Sequence, residues 1–213
     1  HRTNNGQLTT DNGQIKMIRI AKIVKSNSHV DYIGRVIDKL DVDEPPQATD
    51  YGFAQFVSIP LDDTEVVGVI YDSQLANPDY GNYGPRLSSR PDNSVLSPDY
   101  LNEQGVLVGI LLLGWRDSAQ ANHHSVPRRV IPVNQDVYRL ADEDAQSFHK
   151  DAEGRVQLHY YSQVIAHAGL FSVPLIEAIL EQLEAACTPG ERQRLCVLKQ
   201  ALVWQRTMGG MRL

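Results

Sequence analysis

The sequence predicts an α+β chain: a small antiparallel β-barrel followed by a helical C-terminal part. Three observations carry this reading. The first two-thirds holds about six short apolar runs rich in Val, Ile and aromatic residues, separated by turn residues. Three of those runs contain an internal glycine, Gly34, Gly68 and Gly109, where a strand can bend enough to close a small cylinder. The last third switches from two-residue alternation to helical spacing.

The elements follow in order. Residues 1–16, "HRTNNGQLTTDNGQIK", are polar and rich in Asn and Gly, without an apolar stretch, and are expected to form a disordered leader. Met17 opens the first apolar run, "MIRIAKIV" (17–24), a half-buried strand. "YIGRVID" (32–38) sets Ile33 against Arg35 around Gly34, and "FAQFVSIP" (53–60) is aromatic and β-branched up to Pro60. "EVVGVIYDS" (65–73) surrounds Gly68 with Val and Ile. "QGVLVGILLLGW" (104–115) is nearly all apolar, long for one strand and a candidate for bending at Gly109. "RRVIPVNQDVYRL" (128–140) is expected to supply a last short strand, broken at Pro132. The barrel domain thus spans 17–140 and the helical region 141–213.

In the helical part, "ADEDAQSFHK" (141–150) starts with Asp142, Glu143 and Asp144, placed where the positive end of a helix dipole favours acids. "SVPLIEAILEQLEAAC" (172–187) has Pro174 in its first turn and Ile176, Ile179, Leu180 and Leu183 on one face. Thr188, Pro189 and Glu191 then read as a capped start to another helix, with Leu195, Leu198 and Leu202 as its apolar stripe and Trp204 in core or interface. The tight turn between the two helices predicts an antiparallel pair.

Composition narrows the function. The chain has 213 residues and a formal net charge of −6, so bulk electrostatics repel nucleic acid and direct nucleic-acid binding is not expected, Arg128 and Arg129 notwithstanding. The longest apolar run falls short of the ~20 residues that cross a bilayer, so no membrane association is expected. Two cysteines, Cys187 and Cys196, make no disulfide framework. They read as small core residues in a reducing cytoplasm.

Chemistry-bearing motifs are sparse. The chain has no Walker A loop, no G-x-G-x-x-G, no G-x-S-x-G and no H-E-x-x-H, so neither a catalytic residue nor a cofactor is assigned. His123 and His124 are adjacent and point to different sides, which suits a solvated loop better than a metal site. His149, His159 and His167 read as ordinary helix or turn positions, and "LDVDEPP" (40–46) as a solvated acidic turn.

Candidate contact residues are clearer. "NPDYGNYGPRLSS" (77–89) packs Tyr80 and Tyr83 into a loop stiffened by two turn prolines. Two readings fit: the tyrosines meet a partner, or they fold back and plug the barrel. Arg86 and Arg90 in the tail of that loop, with Arg128 and Arg129, form a local basic spot if the barrel gathers their loops at one end. The alternative for these arginines is ordinary surface ion pairing. Two competing functions therefore stand. One is a docking surface built from Tyr80, Tyr83, Arg86, Arg90, Arg128, Arg129 and the helix face Ile176, Ile179 and Leu183. The other is a small-ligand or enzymatic site at the barrel mouth, using Arg86, Arg128, His123 and His124.

The stretches "IAKIVKSNSHVDYIGRVI", "FVSIP…EVVGVIYDS", "NPDYGNYGPRLS" and "GVLVGILLLG" resemble the HerA–ATP synthase barrel, or HAS barrel. "VPRRVIPVNQDVYRLADEDAQSFH" looks like the segment that follows this barrel in HerA-type DNA translocases. "LHYYSQVIAHAGLFSVPLIEAILEQL" is similar to segments that accompany it in some relatives. The resemblance covers about residues 17–187 and rests on hydrophobic and turn patterns. It implies a module for ring assembly, or for docking a HerA-like ATPase or a NurA-like nuclease, and hence a homo-oligomer or a protein partner in DNA processing. Within these 213 residues no Walker A motif follows the barrel, so ATP hydrolysis by this chain alone is not expected, and the resemblance carries over no catalytic residue.

Overall fold

A computed structural model describes residues 17–76, 105–151, 153–184, 187, 190–193 and 195–197. Seven strands occur among them: β1 (Arg19–Ser26), β2 (Asp31–Val36), β3 (Phe56–Leu61), β4 (Thr64–Ala76), β5 (Gly105–Arg116), β6 (Asn122–His123) and β7 (Asp136–Arg139). Six of them close into a ring in the order β1-β7-β3-β4-β5-β2 and back to β1 through the β1–β2 pairing, with every pairing antiparallel. The predicted antiparallel barrel is therefore what the chain forms. Bulges at Ile23/Lys25 in β1, at Leu113 in β5 opposite Val67/Gly68, and at Ile70/Asp72 in β4 add the local twist that closure needs.

The predicted glycines have a packing reason. A Cβ at Gly34 would lie 3.3 Å from Ile110 Cδ1, and one at Gly68 would lie 3.0 Å from Ile110 Cγ2. Ile110 fits because strands on two sides of it give up a side chain. Gly114, not singled out in the sequence, is tighter still: a Cβ there would fall 2.0 Å from the His123 carbonyl oxygen, where β6 crosses the end of β5.

β5 explains the unbroken apolar run. Val108, Ile110, Leu111, Leu112 and Leu113 are all fully buried. One face of the strand lines the barrel and the other lies under helices, so alternation has no solvent side to serve. Those helices are α1 (Asp142–Phe148), α2 (Tyr161–His167) and α3 (Ser172–Glu184). The Gln163 side-chain amide of α2 donates to the Leu112 carbonyl of β5. A single apolar cluster runs from the barrel into the helices, including Val57, Phe148, Val164 and Ile179.

Two boundaries differ from expectation. The last strand covers only Asp136–Arg139, and residues 128–135 form a loop. Pro132 has no N–H to give a ladder, and Asn134 takes a left-handed conformation (φ 65°) while its amide donates to the Ile23 carbonyl at 2.7 Å. The helix α2 was not anticipated as a separate element. α3 forms as read, and α1 starts with its three acids in the first turn. Among the terminal positions, Leu195 is buried and Cys196 exposed, so Cys196 is not the core residue expected, whereas Cys187 is buried. Thr188, Pro189, Leu198, Leu202 and Trp204 lie outside the described residues, as do residues 1–16.

Candidate functional site

The predicted contact residues scatter. Tyr80, Tyr83, Arg86 and Arg90 lie outside the described residues. Arg128 is exposed. Arg129 donates to Asp63 Oδ1 at 2.7 Å and sits 3.9 Å from Asp62, which ties it to the β3–β4 turn as a surface ion pair. Ile176, Ile179 and Leu183 correct the expectation of a partner-binding helix face. They are buried at 2%, 0% and 3% exposure because α3 uses that face on the chain's own core.

The histidines are also redistributed. His123 remains half-exposed, stacks on Trp115 with ring centres 4.9 Å apart, and donates from Nε2 to Asp117 at 2.9 Å. His124 is buried rather than solvated: its Nε2–H donates to the Phe148 carbonyl at 2.8 Å, and its Nδ1 has no partner. His149 is fully buried. With the Ala145 carbonyl 2.6 Å from Nδ1, the proton belongs on Nδ1, and Nε2 then accepts the Tyr160 hydroxyl at 2.5 Å. Burial pushes its pKa down to about 3, and pushes that of His124 down as well. Phe56, Phe148, Tyr160 and the two imidazoles pack as one aromatic seam between the barrel and α1. Each imidazole is committed to a backbone carbonyl, so this seam holds the fold together. His159 and His167 are exposed.

A second polar group closes the other side of the same helix. Ser58, fully buried in β3, donates to Glu65 Oε1 at 2.5 Å, and Arg116 donates to Glu65 Oε2 at 2.9 Å. Arg116 also reaches Asn122 Oδ1 at 3.2 Å and the Asp144 carbonyl at 3.3 Å, and Asn122 donates to the Ser147 carbonyl at 2.8 Å. Both carboxylate oxygens and the guanidinium are thus occupied in fastening β3, β4, β5, β6 and α1 together. Among the described residues no serine or cysteine lies within hydrogen-bond reach of a histidine, and no group of three or more His, Cys, Asp or Glu is placed to hold a metal ion.

Among the described residues, exposed aromatic surface gathers at the barrel rim where β4 leaves β3. β3 pairs with β4 up to Val69, Ala54 and Gln55 bridge to Ile70, and among the described residues Asp72–Ala76 then pair with β5 alone. Beside this unpaired edge lies a hollow of about 110 Å³ lined by Phe53, Ile70, Tyr71, Asp72, Ser73 and Phe171. Phe53 and Phe171 face each other with ring centres 6.0 Å apart, and they remain 48% and 43% exposed. The backbone aims them. Ala54 has φ 62°, a left-handed conformation costly for alanine, and its carbonyl accepts the Gln182 side chain of α3 at 2.9 Å. Phe171 ends the 3-10 turn Gly169–Phe171 that leads into α3.

The hollow is electronegative. The Tyr71 hydroxyl donates to Asp31 Oδ1 at 2.9 Å, and Asn27 donates to Asp31 Oδ2 at 3.0 Å. Burial, the Asp31 bond and the nearby Asp31 and Asp72 charges all raise the Tyr71 pKa. Asp72 accepts only from the Ser73 amide at 2.8 Å and the Gln74 side chain at 3.4 Å, with no Lys or Arg paired to it among the described residues. Sequence reading missed this site. It took Phe53 as the first strand residue, when Phe53 sits in the turn before the strand, and nothing in the local pattern brings Phe171 to it from 118 positions away.

Among the described residues no helix is long and apolar enough to cross a membrane. Comparison with curated proteins finds no match. Residues 5–212, nearly the whole length, match the family described as Domain of unknown function (DUF8166), and the chain belongs to that family.

Proposed function

We propose that this chain is a non-enzymatic docking or assembly module, binding another copy of itself or a separate subunit such as a HerA-like ATPase or a NurA-like nuclease, in the cytoplasm and in DNA processing. The observation that carries this reading is the barrel rim. Two half-exposed phenylalanines flank a β4 edge that, among the described residues, pairs with β5 alone. Exposed aromatic surface beside an open edge is costly to keep in water and suits a binding surface. The HAS-barrel resemblance points the same way. Of the residues named for the competing ligand site at the barrel mouth, His124 is committed to the Phe148 carbonyl and His123 to Asp117, while Arg128 is exposed.

Sedimentation velocity over a wide concentration range, alone and with purified HerA-like and NurA-like subunits, tests the reading. Self-association or a mixed complex supports it. A strict monomer that ignores both subunits overturns it. The same proposal expects no shift of a labelled DNA duplex at low salt, where any electrostatic binding is strongest.

A further inference from the structure

We infer that the rim hollow receives the cationic side chain of a Lys or Arg carried on an extended segment of a partner protein. This deepens the docking reading above and rests on it. Three features converge. The hollow, about 110 Å³, has room for the end of one long side chain and is walled by the rings of Phe53, Tyr71 and Phe171. Aromatic faces attract a cation and cover its apolar stem. At the edge of the hollow stands the Asp72 carboxylate, without a cation of its own among the described residues, and Asp31 lies just behind Tyr71. Finally, the Asp72–Ala76 edge of β4 runs alongside, paired on one side only among the described residues. An extended segment laid along that edge can deliver a side chain into the hollow. An acidic or phosphorylated segment would meet Asp72 and Asp31 and be repelled.

The full chain is titrated with two short labelled peptides, both built from alternating Thr and Val, one with a central Arg and its partner with Glu at the same place. Anisotropy gives the affinity, and NMR shifts of the Ser73 amide and the Phe53 and Phe171 rings give the location. The Arg peptide is expected to bind, shift those resonances and weaken with added salt, while the Glu peptide does not bind. Asp72→Asn keeps an acceptor for the Ser73 amide and is expected to weaken the Arg peptide about threefold. Phe53→Ala and Phe171→Ala are each expected to weaken it about threefold, with the melting temperature nearly unchanged. Equal binding of the two peptides, indifference to Asp72→Asn, or silent rim resonances at millimolar peptide would overturn the inference. Self-association that disappears in Phe53→Ala while both peptides fail assigns the rim to a second copy: the docking reading then survives and the basic-segment inference does not.

Discussion

The chain places aromatic rings in two settings with opposite outcomes. In the seam between the barrel and α1, Phe56, Phe148, His149 and Tyr160 are almost wholly enclosed, and each polar tip named there has a partner apart from His124 Nδ1. At the rim, Phe53, Tyr71 and Phe171 form a comparable cluster that stays open to water. The difference lies in what stands behind each group. The seam is roofed by a helix whose end supplies carbonyls to the imidazoles. The rim sits where β3 has ended and β4 continues, and no other element among the described residues pairs with it there. Aromatic content alone thus says little about role; the coverage that tertiary structure supplies decides it.

That contrast can be broken from the seam side first. Phe148→Ala should cost about 3–5 kcal/mol in chemical denaturation, because it opens a cavity in a closed wall. A loss below about 1 kcal/mol would mean that the seam is not packed as described. Next, Glu65→Ala should cost about 3 kcal/mol, since it strands the nearly buried Arg116 guanidinium and leaves the Ser58 hydroxyl without its acceptor. A double variant that also replaces Arg116 with Met should recover part of that loss.

The seam also predicts a pH signature. His149 in the folded chain titrates near 3, below the ~6.5 expected of an unfolded chain. Between those values the unfolded chain binds a proton that the folded chain refuses. The stability from neutral His149 is therefore complete above about pH 6.5 and drains as pH falls toward 3, by at most about 1.4 kcal/mol per unit. His124 is shifted in the same direction and adds to the slope. Thermal melts at stepped pH check this: His149→Phe should lower stability at neutral pH and flatten the slope, and an unchanged slope would contradict the assignment. The smallest effects belong to the rim. Phe53→Ala and Phe171→Ala should each change stability by less than about 1 kcal/mol, because half of each ring is already in water.

How far the fold could be read from residues varies along the chain. Alternation and glycine placement located β1 to β4 within a few residues, because a strand's own pattern encodes which face is buried. The 12-residue β5 was visible as one long apolar run. The two-residue β6 left no pattern, and residues 128–135 looked like strand although Pro132 and the left-handed Asn134 exclude a ladder there. The buried state of His124 and His149 was illegible, since it depends on Phe148 and Tyr160 arriving from other elements. The apolar face of α3 was legible as a face, but whether it served a partner or the chain's own core was not.

Local order thus followed from sequence alone: six strands able to curl, the helices α1 and α3 with their acidic and apolar positions, and the lack of any phosphate-cradling motif. Only the three-dimensional arrangement decided which aromatic groups are sealed and which are offered. A side chain's periodicity reports the face it occupies, whereas its exposure depends on residues as distant as Phe53 and Phe171, which meet only once the barrel has closed and α3 has docked against it.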